Sequence, residues 1–417
     1  MKTAIRKHYH WVIAAIVFST MIVYGGLINA IGIYTVPITE AFSVGRGAYS
    51  LAGLPYGLFS IVSTLLTGAL LPKLGYKRLT VYSLIATALG YFSIAVATGL
   101  VGHAIGRGLI GLGYGMCFTA GSVWIIKKWF HKHLGLVLGI ISMASGLGGS
   151  IMSFIFSRLL VALGWRTALL ISSLLPILVA VLFLFIYNAP EDISLKPYGF
   201  GQLATKQIRK ENLWVGHTLK ELYKHPLFYL MCFATLLSNV CVYTTSAVMN
   251  PHFQDNGYSQ TAAANYDSVL MLTLACFKLL MGWVSDRFGA KPVAILCLAC
   301  SAVGQWLLSN VSDPAIAYIA VVIFSAGLCL TSVALPLIAM PLFGTKGSTE
   351  INSIIVAMVS LASLITPPIC NFIYDLIGTY SPSFKVASIL EIILIGIYFI
   401  MFALAKKDRA KELSAQK

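Results

Sequence analysis

The sequence predicts an all-α membrane protein with twelve transmembrane helices in two pseudo-symmetric six-helix bundles. Three observations carry that expectation: the chain is too apolar for water, its positive charges gather in alternate loops, and its two halves repeat at one offset. Of 417 residues, 58% are hydrophobic and 10% are charged, whereas a soluble domain carries about 25% charged residues. A spanning helix needs roughly 20 apolar residues. Twelve segments supply them, at roughly 11–36, 47–71, 79–99, 102–126, 134–162, 165–188, 226–251, 261–284, 292–311, 314–342, 350–377 and 381–405.

Segment 1 follows Lys2, Arg6 and Lys7, as a signal peptide would. It is too long for one, and no small-residue cleavage site closes it. Segments 2 and 3 flank "GALLPKLGYKR" (68–78), and segment 4 contains "RGLIGLGYG" (107–115). A basic loop leads into the Gly-rich segment 5, "KKWFHKHLGLVLGIISMASGLGG" (127–149), and segment 6 opens on "LGWRTALLI" (163–171). Segment 7 passes to segment 8 through "PHFQDNGYSQTAAA" (251–264), and segment 8 ends in "LACFKLLMGWVSDRFG" (274–289). Segment 9 holds Cys297 and Cys300. They read as two small residues on one helix face, because no His or second Cys pair accompanies them. "LFGTKG" (342–347) closes segment 10, and "TPPICNFIYDLIGTYSPSF" (366–384) joins segments 11 and 12. All eight cysteines fall inside apolar segments, which argues against a disulfide framework. Neither a metal site nor a cofactor is expected.

With both termini inside, 23 of the 29 Lys and Arg residues fall on the cytoplasmic side, as the positive-inside rule requires. The exceptions are Arg46, Arg107, Arg158, Arg166, Lys278 and Lys385. The net charge of +15 is therefore a signal of topology and lipid-surface contact, and no nucleic-acid partner is implied. The basic stretch 206–225 reads as an amphipathic linker helix on the inner leaflet. The expected organisation is an N-terminal bundle (1–188), a cytoplasmic linker (189–225), a C-terminal bundle (226–405) and a cytoplasmic tail (406–417). The expected location is a cell membrane of the prokaryotic inner-membrane kind, with a monomeric protein.

Gly68, near the end of segment 2, and Gly282, near the end of segment 8, stand 214 positions apart, as do Gly164 and Gly378. One shared offset points to a duplicated six-helix unit. Parallel repeats of this kind build a transporter with its site near the membrane midplane.

These motifs resemble the major facilitator superfamily. Its loop motif is matched in the second half by Gly282, Asp286, Arg287, Gly289 and Lys291. The first half matches with Gly68, Lys73, Gly75, Lys77 and Arg78 but carries Pro72 where the motif has an acid. Glycines there allow close helix approach, and the charges cap helix ends, as a gate between the halves would need. Over nearly the whole length, "GLINAIGIYTVPITEAFSVGRGAYSLA" (26–52) and the stretches quoted above are similar to the branch of monocarboxylate transporters and oxalate/formate antiporters.

That resemblance gives Lys278 a context. A cation within an apolar helix costs about 2.5–3.5 kcal/mol on insertion scales. The branch places a cation, usually Arg, four residues before the motif Gly, and here Lys278 precedes Gly282. Independently, Lys278 lies eight residues before Asp286, about 12 Å along a helix and so near mid-membrane. The embedded acids are essentially Asp267 and Glu391, and Asp267 is too distant along the same helix to pair with Lys278. An anionic substrate is the simplest partner; Glu391 or backbone carbonyls are the alternatives. Oxalate-exchanging relatives carry a second cation in segment 11, and this chain has none there. One cation suggests one carboxylate.

Further candidates for a substrate cavity are Tyr24, Asn29, Tyr56, Tyr114, Cys117, Asn239, Tyr243 and Ser332, and each is equally open to a helix-packing role. Proton-linked relatives keep an Asp four residues before the segment 8 cation, where this chain has Leu274. Coupling candidates are therefore Asp267, His252 and Arg107, with protons as a possible second partner. The expected function is secondary transport of a small monocarboxylate such as lactate, pyruvate or formate by alternating access, as proton symport or anion exchange. The alternative is an efflux pump for amphipathic, drug-like compounds, which would want an acid where this chain has a cation. An enzyme would need a polar catalytic cluster, and these segments have none.

Overall fold

The structure is a computed structural model that describes residues 9–116, 120–130, 134–183, 186–193, 195–199, 219–311, 313–344 and 348–415. Its described elements are helical, with one isolated bridge between Phe130 and Tyr198. The helices are α1 Tyr9–Asn29, α2 Thr35–Phe42, α3 Arg46–Leu51, α4 Leu54–Val96, α5 Leu100–Tyr114, α6 Ala120–Trp129, α7 Leu134–Leu182, α8 Leu219–Leu222, α9 Pro226–Ser246, α10 Met249–Asp255, α11 Gln260–Phe288, α12 Ala290–Leu308, α13 Pro314–Cys329, α14 Leu335–Phe343, α15 Ser348–Ile377 and α16 Ser381–Ala415.

Two compact units emerge. Unit 1 comprises Met1–Ile208 with Gln260–Ser268, and unit 2 comprises Arg209–Ser259 with Val269–Lys417. In unit 1, α4 packs on α5 and α7, and α1 packs on α7. In unit 2, α12 packs on α13 and α16, and α9 packs on α15 and α16.

Ten stretches among the described residues are long and apolar enough to span a membrane. The difference from the expected twelve has a local cause. α7 covers expected segments 5 and 6 in one run of 49 residues, far longer than a bilayer core of roughly 30 Å needs at 1.5 Å per residue. Segment 4 is divided between α5 and α6, because residues 117–119 lie outside the described set. α7 breaks at Gly164 (φ 79, ψ 162) and α4 at Gly75 (φ 73, ψ 161). Gly289 (φ 86) separates α11 from α12, and Gly378 (φ 80) separates α15 from α16. These four form two pairs at the 214-residue offset. Only glycine reaches such angles without strain, so the duplication is written in the backbone as well as in the motifs.

The repeat extends to packing. A Cβ on Gly113 would overlap the Thr87 hydroxyl, and one on Gly327 would overlap Ser301. Thr87 and Ser301 are themselves 214 positions apart. The carbonyl of Ala95 accepts from Arg166 Nη1 at 3.0 Å, and its counterpart, that of Ser309, accepts from Ser381 Oγ at 2.5 Å. Each bond satisfies a carbonyl that a helix C-terminus leaves unpaired.

Several expected boundaries shift. Segment 1 passes through a 3₁₀ turn at Ala30–Tyr34 into α2. Segment 7 ends at Ser246, before the separate α10. α16 runs on through Ala415 into the expected tail, since Ala, Lys and Glu are good helix formers once the apolar stretch ends. Of the basic linker, residues 200–218 lie outside the described set, and Leu219–Leu222 forms a single turn. The start of the linker is tied to unit 1: Tyr198 N–H donates to Trp129 O at 2.9 Å, and its ring packs 4.6 Å from that of His10.

Candidate functional site

In unit 1, Tyr24 is buried where α1 meets α4 and α5. Its hydroxyl bonds to Ser83 Oγ and accepts from Thr87 Oγ1 at 3.2 Å, and Ser83 Oγ donates to Gly113 O at 2.6 Å. This geometry ties three helices together. Asn29 is exposed and donates to Ser145 O at 3.3 Å, beside the crossing of α1 and α7. There, Cβ atoms on Gly25 and Gly148 would overlap Ser145 and Ile22. Tyr56, Tyr114 and Arg107 form one cluster. The Tyr56 and Tyr114 rings lie 5.7 Å apart, and the Arg107 guanidinium sits 4.8 Å over Tyr56. Among the described residues, Arg107 has no acid at ion-pairing distance; its neighbour is an aromatic face. Asp267 lies on the part of α11 that belongs to unit 1, and is half-buried and engaged rather than free. Cys117 falls outside the described residues.

In unit 2, Asn239 is buried on α9 and donates to Thr235 O at 2.7 Å, while its Oδ1 has no partner among the described residues. Tyr243 is half-buried one turn further along. Ser332 is exposed on a π-helical turn, Leu330–Ala334, inserted between α13 and α14. Such turns concentrate at functional positions. α5 also runs into a π turn at Gly115–Met116, and Met116 and Leu330 are again 214 positions apart.

Lys278 is half-buried on α11, within electrostatic reach of Cys329, the residue that leads into the π turn. No acid lies at ion-pairing distance from it among the described residues. Glu391, the alternative partner, is engaged elsewhere. It is fully buried on α16, and its Oε1 accepts from Ser301 Oγ at 2.7 Å and from Gln305 Nε2 at 3.4 Å.

His252 on α10 is buried, with both ring nitrogens bonded. Nε2 donates to Leu308 O at 2.9 Å, and Nδ1 accepts from Asn256 Nδ2 at 3.4 Å, which fixes the neutral tautomer. Burial holds its pKa below the ordinary histidine value, against smaller opposing effects of the Leu308 bond and Asp255.

Of the gate residues, Gly68 and Gly75 lie within α4. A Cβ on Gly75 would stand 2.6 Å from Asn188 Nδ2, and Asn188 Oδ1 accepts the Lys77 backbone N–H at 2.8 Å. Lys73, Arg78 and Arg287 are exposed, Gly282 and Asp286 lie within α11, and Gly289 caps α12. No group of three metal-ligating side chains occurs among the described residues.

The sequence alone did not point to the π turns or to the bonds among Ser301, Gln305 and Glu391. The glycine run of "RGLIGLGYG" and the 214-residue offset were the signals available for them.

Comparison with known proteins places this geometry. The sequence pattern of the Major Facilitator Superfamily matches residues 16–264 and 231–417. Monocarboxylate transporter 11 of Mus musculus is 24% identical over 406 residues, 94% of this chain and 86% of that protein. Monocarboxylate transporter 13 of Bos taurus is 25% identical, over 90% of this chain and 85% of its own. The 4-hydroxybenzoate transporter PcaK of Pseudomonas aeruginosa is 22% identical, over 81% and 80%. Among solved structures, the nucleoside transporter NupG superposes with TM-score 0.73 at 11% identity, covering 94% of this chain and 98% of its own. The xylose transporter XylE from E. coli gives TM-score 0.72 at 12% identity, covering 94% and 99%. At these identities the structures speak for the fold alone. The chain is a multi-pass membrane transporter, not an enzyme, and it belongs to the major facilitator superfamily.

Proposed function

We propose that the protein is a secondary transporter of a small monocarboxylate, working by alternating access as a proton symporter or an anion exchanger. One observation carries the reading: Lys278, a cation inside an apolar helix, stands beside the π turn of unit 2 with no acid at ion-pairing distance among the described residues. An ammonium so placed attracts a carboxylate and gives up little hydration to hold it. Relatives named for monocarboxylates and for 4-hydroxybenzoate support the same substrate class. Tyr243 and Ser332 on unit 2, and Tyr56, Tyr114 and Arg107 on unit 1, are the side chains to test for contact with the substrate. An efflux pump for amphipathic cations would want an accessible embedded acid, and Glu391 is fully buried and bonded.

The test is counterflow uptake of radiolabelled lactate, pyruvate, formate and oxalate into proteoliposomes. Monoanions are expected to outcompete dianions, because segment 11 holds no cation. Preferred uptake of oxalate or malonate refutes the one-cation argument. Both termini are assigned to the cytoplasmic side of a prokaryotic-type inner membrane, and labelling of a linker cysteine from outside intact cells refutes that orientation.

A further inference from the structure

The end of unit 1 that carries the loop between segments 2 and 3 holds a hollow of about 900 Å³. Four cations line it, Lys73, Lys77, Arg78 and Lys128, against one acid, Asp192. Asp192 is partly used already, because its Oδ2 accepts the Ala189 backbone N–H at 3.0 Å. The Lys128 ammonium rests 4.1 Å over the Trp124 ring. Among the described residues, no carboxylate lies at ion-pairing distance from Lys73, Arg78 or Lys128.

The sequence explains the surplus. Pro72 stands where the repeat motif has its acid, whereas the second half keeps Asp286 at the matching place. The first-half loop therefore gathers its basic residues without the motif acid that its second-half counterpart carries. Like charges held together around one cavity repel, and an anion relieves them.

We propose that this hollow binds a phosphate monoester, apart from the transport site at Lys278. A phosphate monoester brings roughly two negative charges and three acceptor oxygens, which suits several converging donors better than a single carboxylate. Arg78 contributes a planar fork and the lysines contribute point charges. Two sources present this chemistry: the headgroup of an anionic phospholipid such as phosphatidic acid, and a soluble phosphomonoester. Basic pockets at the ends of membrane helices are known receptors for anionic headgroups.

The experiment is calorimetric titration of the purified full-length chain with three probes. They are dihexanoyl phosphatidic acid, glycerol 3-phosphate with the same head but no tails, and dihexanoyl phosphatidylcholine as the zwitterionic control. Saturable binding of phosphatidic acid alone assigns a lipid headgroup, and binding of both phosphomonoesters assigns the phosphate itself. In either case, K73Q/K128Q should weaken binding about tenfold or more, from the loss of two charged partners, and D192N should tighten it. Both lysines are exposed, so the unfolding temperature of the double variant should match wild type. If it does not, the D192N arm decides, since a tighter site there upholds the proposal. The proposal is overturned if neither phosphomonoester saturates, if phosphatidylcholine binds as tightly as phosphatidic acid, if K73Q/K128Q with wild-type stability binds like wild type, or if D192N fails to tighten binding.

Discussion

Glu391 offers the sharpest test of how unit 2 is held together. Its carboxyl is fully buried between α9, α12 and α16, with Oε1 accepting from Ser301 and Gln305 and Oε2 without a partner among the described residues. Gln305 in turn donates to Cys241 O at 3.0 Å, and its own Oε1 also lacks a partner. Glu391→Ala removes the acceptor that takes the Ser301 hydroxyl proton, and stranding a buried hydroxyl costs about 1–3 kcal/mol. The vacated volume adds about 1 kcal/mol at the usual cost per Å³ of cavity. A total near 2–4 kcal/mol should lower the temperature at which unit 2 unfolds in the detergent-purified protein by about 5–15 °C. Glu391→Gln keeps an oxygen for Ser301 and brings donors into a pocket that already holds an unpaired acceptor, Gln305 Oε1. It should unfold within about 3 °C of wild type and transport at a similar rate. Differential scanning fluorimetry, with proteoliposome uptake alongside, reads both. If Glu391→Gln falls as far as Glu391→Ala, the carboxyl is not acting as a hydrogen-bond acceptor, and the account of this pocket is wrong.

Three further outcomes follow from the geometry. Lys278→Ala should insert normally and lose transport. One charge facing a carboxylate at about 4 Å is worth about 4 kcal/mol at intermediate dielectric, so affinity should fall by about a thousandfold; wild-type uptake in a well-expressed variant would send the search for the substrate cation elsewhere. Gly75→Ala should destabilise more than Gly289→Ala. Both positions carry positive φ, worth about 1–3 kcal/mol, but only at Gly75 does the new Cβ meet Asn188; equal unfolding temperatures would contradict this. His252 should make the protein sensitive to acid. Its folded pKa lies below the unfolded value of about 6.5, so stability is fully present above that pH and is lost as pH falls below it. Protonating Nδ1 would also turn it into a donor facing the Asn256 amide. His252→Gln should flatten the fall in unfolding temperature between pH 7 and pH 5, and an unchanged slope would assign the sensitivity to other groups.

Much of this was legible in the sequence because hydropathy, charge and glycine each answer to a strong constraint. A bilayer demands long apolar helices, and the landmark pairs Gly68 with Gly282 and Gly164 with Gly378 carry the offset in the sequence itself. The same offset recurs in positive-φ glycines, helix crossings and capped carbonyls. The candidate polar residues were harder to sort, because a tyrosine on an apolar helix has the same sequence signature whether it packs or binds. Tyr24 and His252 are bonded on both sides within the interior, whereas Tyr56 lies under a guanidinium with no acid at ion-pairing distance among the described residues. Such differences depend on which helices cross and where, and helical periodicity does not encode that. The π turns were invisible for a related reason: one extra residue in a helical turn leaves the hydropathy of the segment unchanged.

The four glycine reversals also bear on synthesis. Gly75, Gly164, Gly289 and Gly378 turn the chain back on itself with almost no loop between the flanking helices. Closing so short a connection costs little chain entropy, so each pair can form as soon as its second member leaves the ribosome. Segments 2–3, 5–6, 8–9 and 11–12 are then expected to enter the bilayer as ready-made hairpins, with segments 1, 4, 7 and 10 entering singly. Each unit repeats the same rhythm of single, hairpin, single, hairpin. Nascent chains truncated partway through segment 3 or segment 9 should leave the preceding helix loosely held and extractable by urea, and chains that include the whole hairpin should resist extraction; equal extraction of the two lengths would show that the helices enter one at a time.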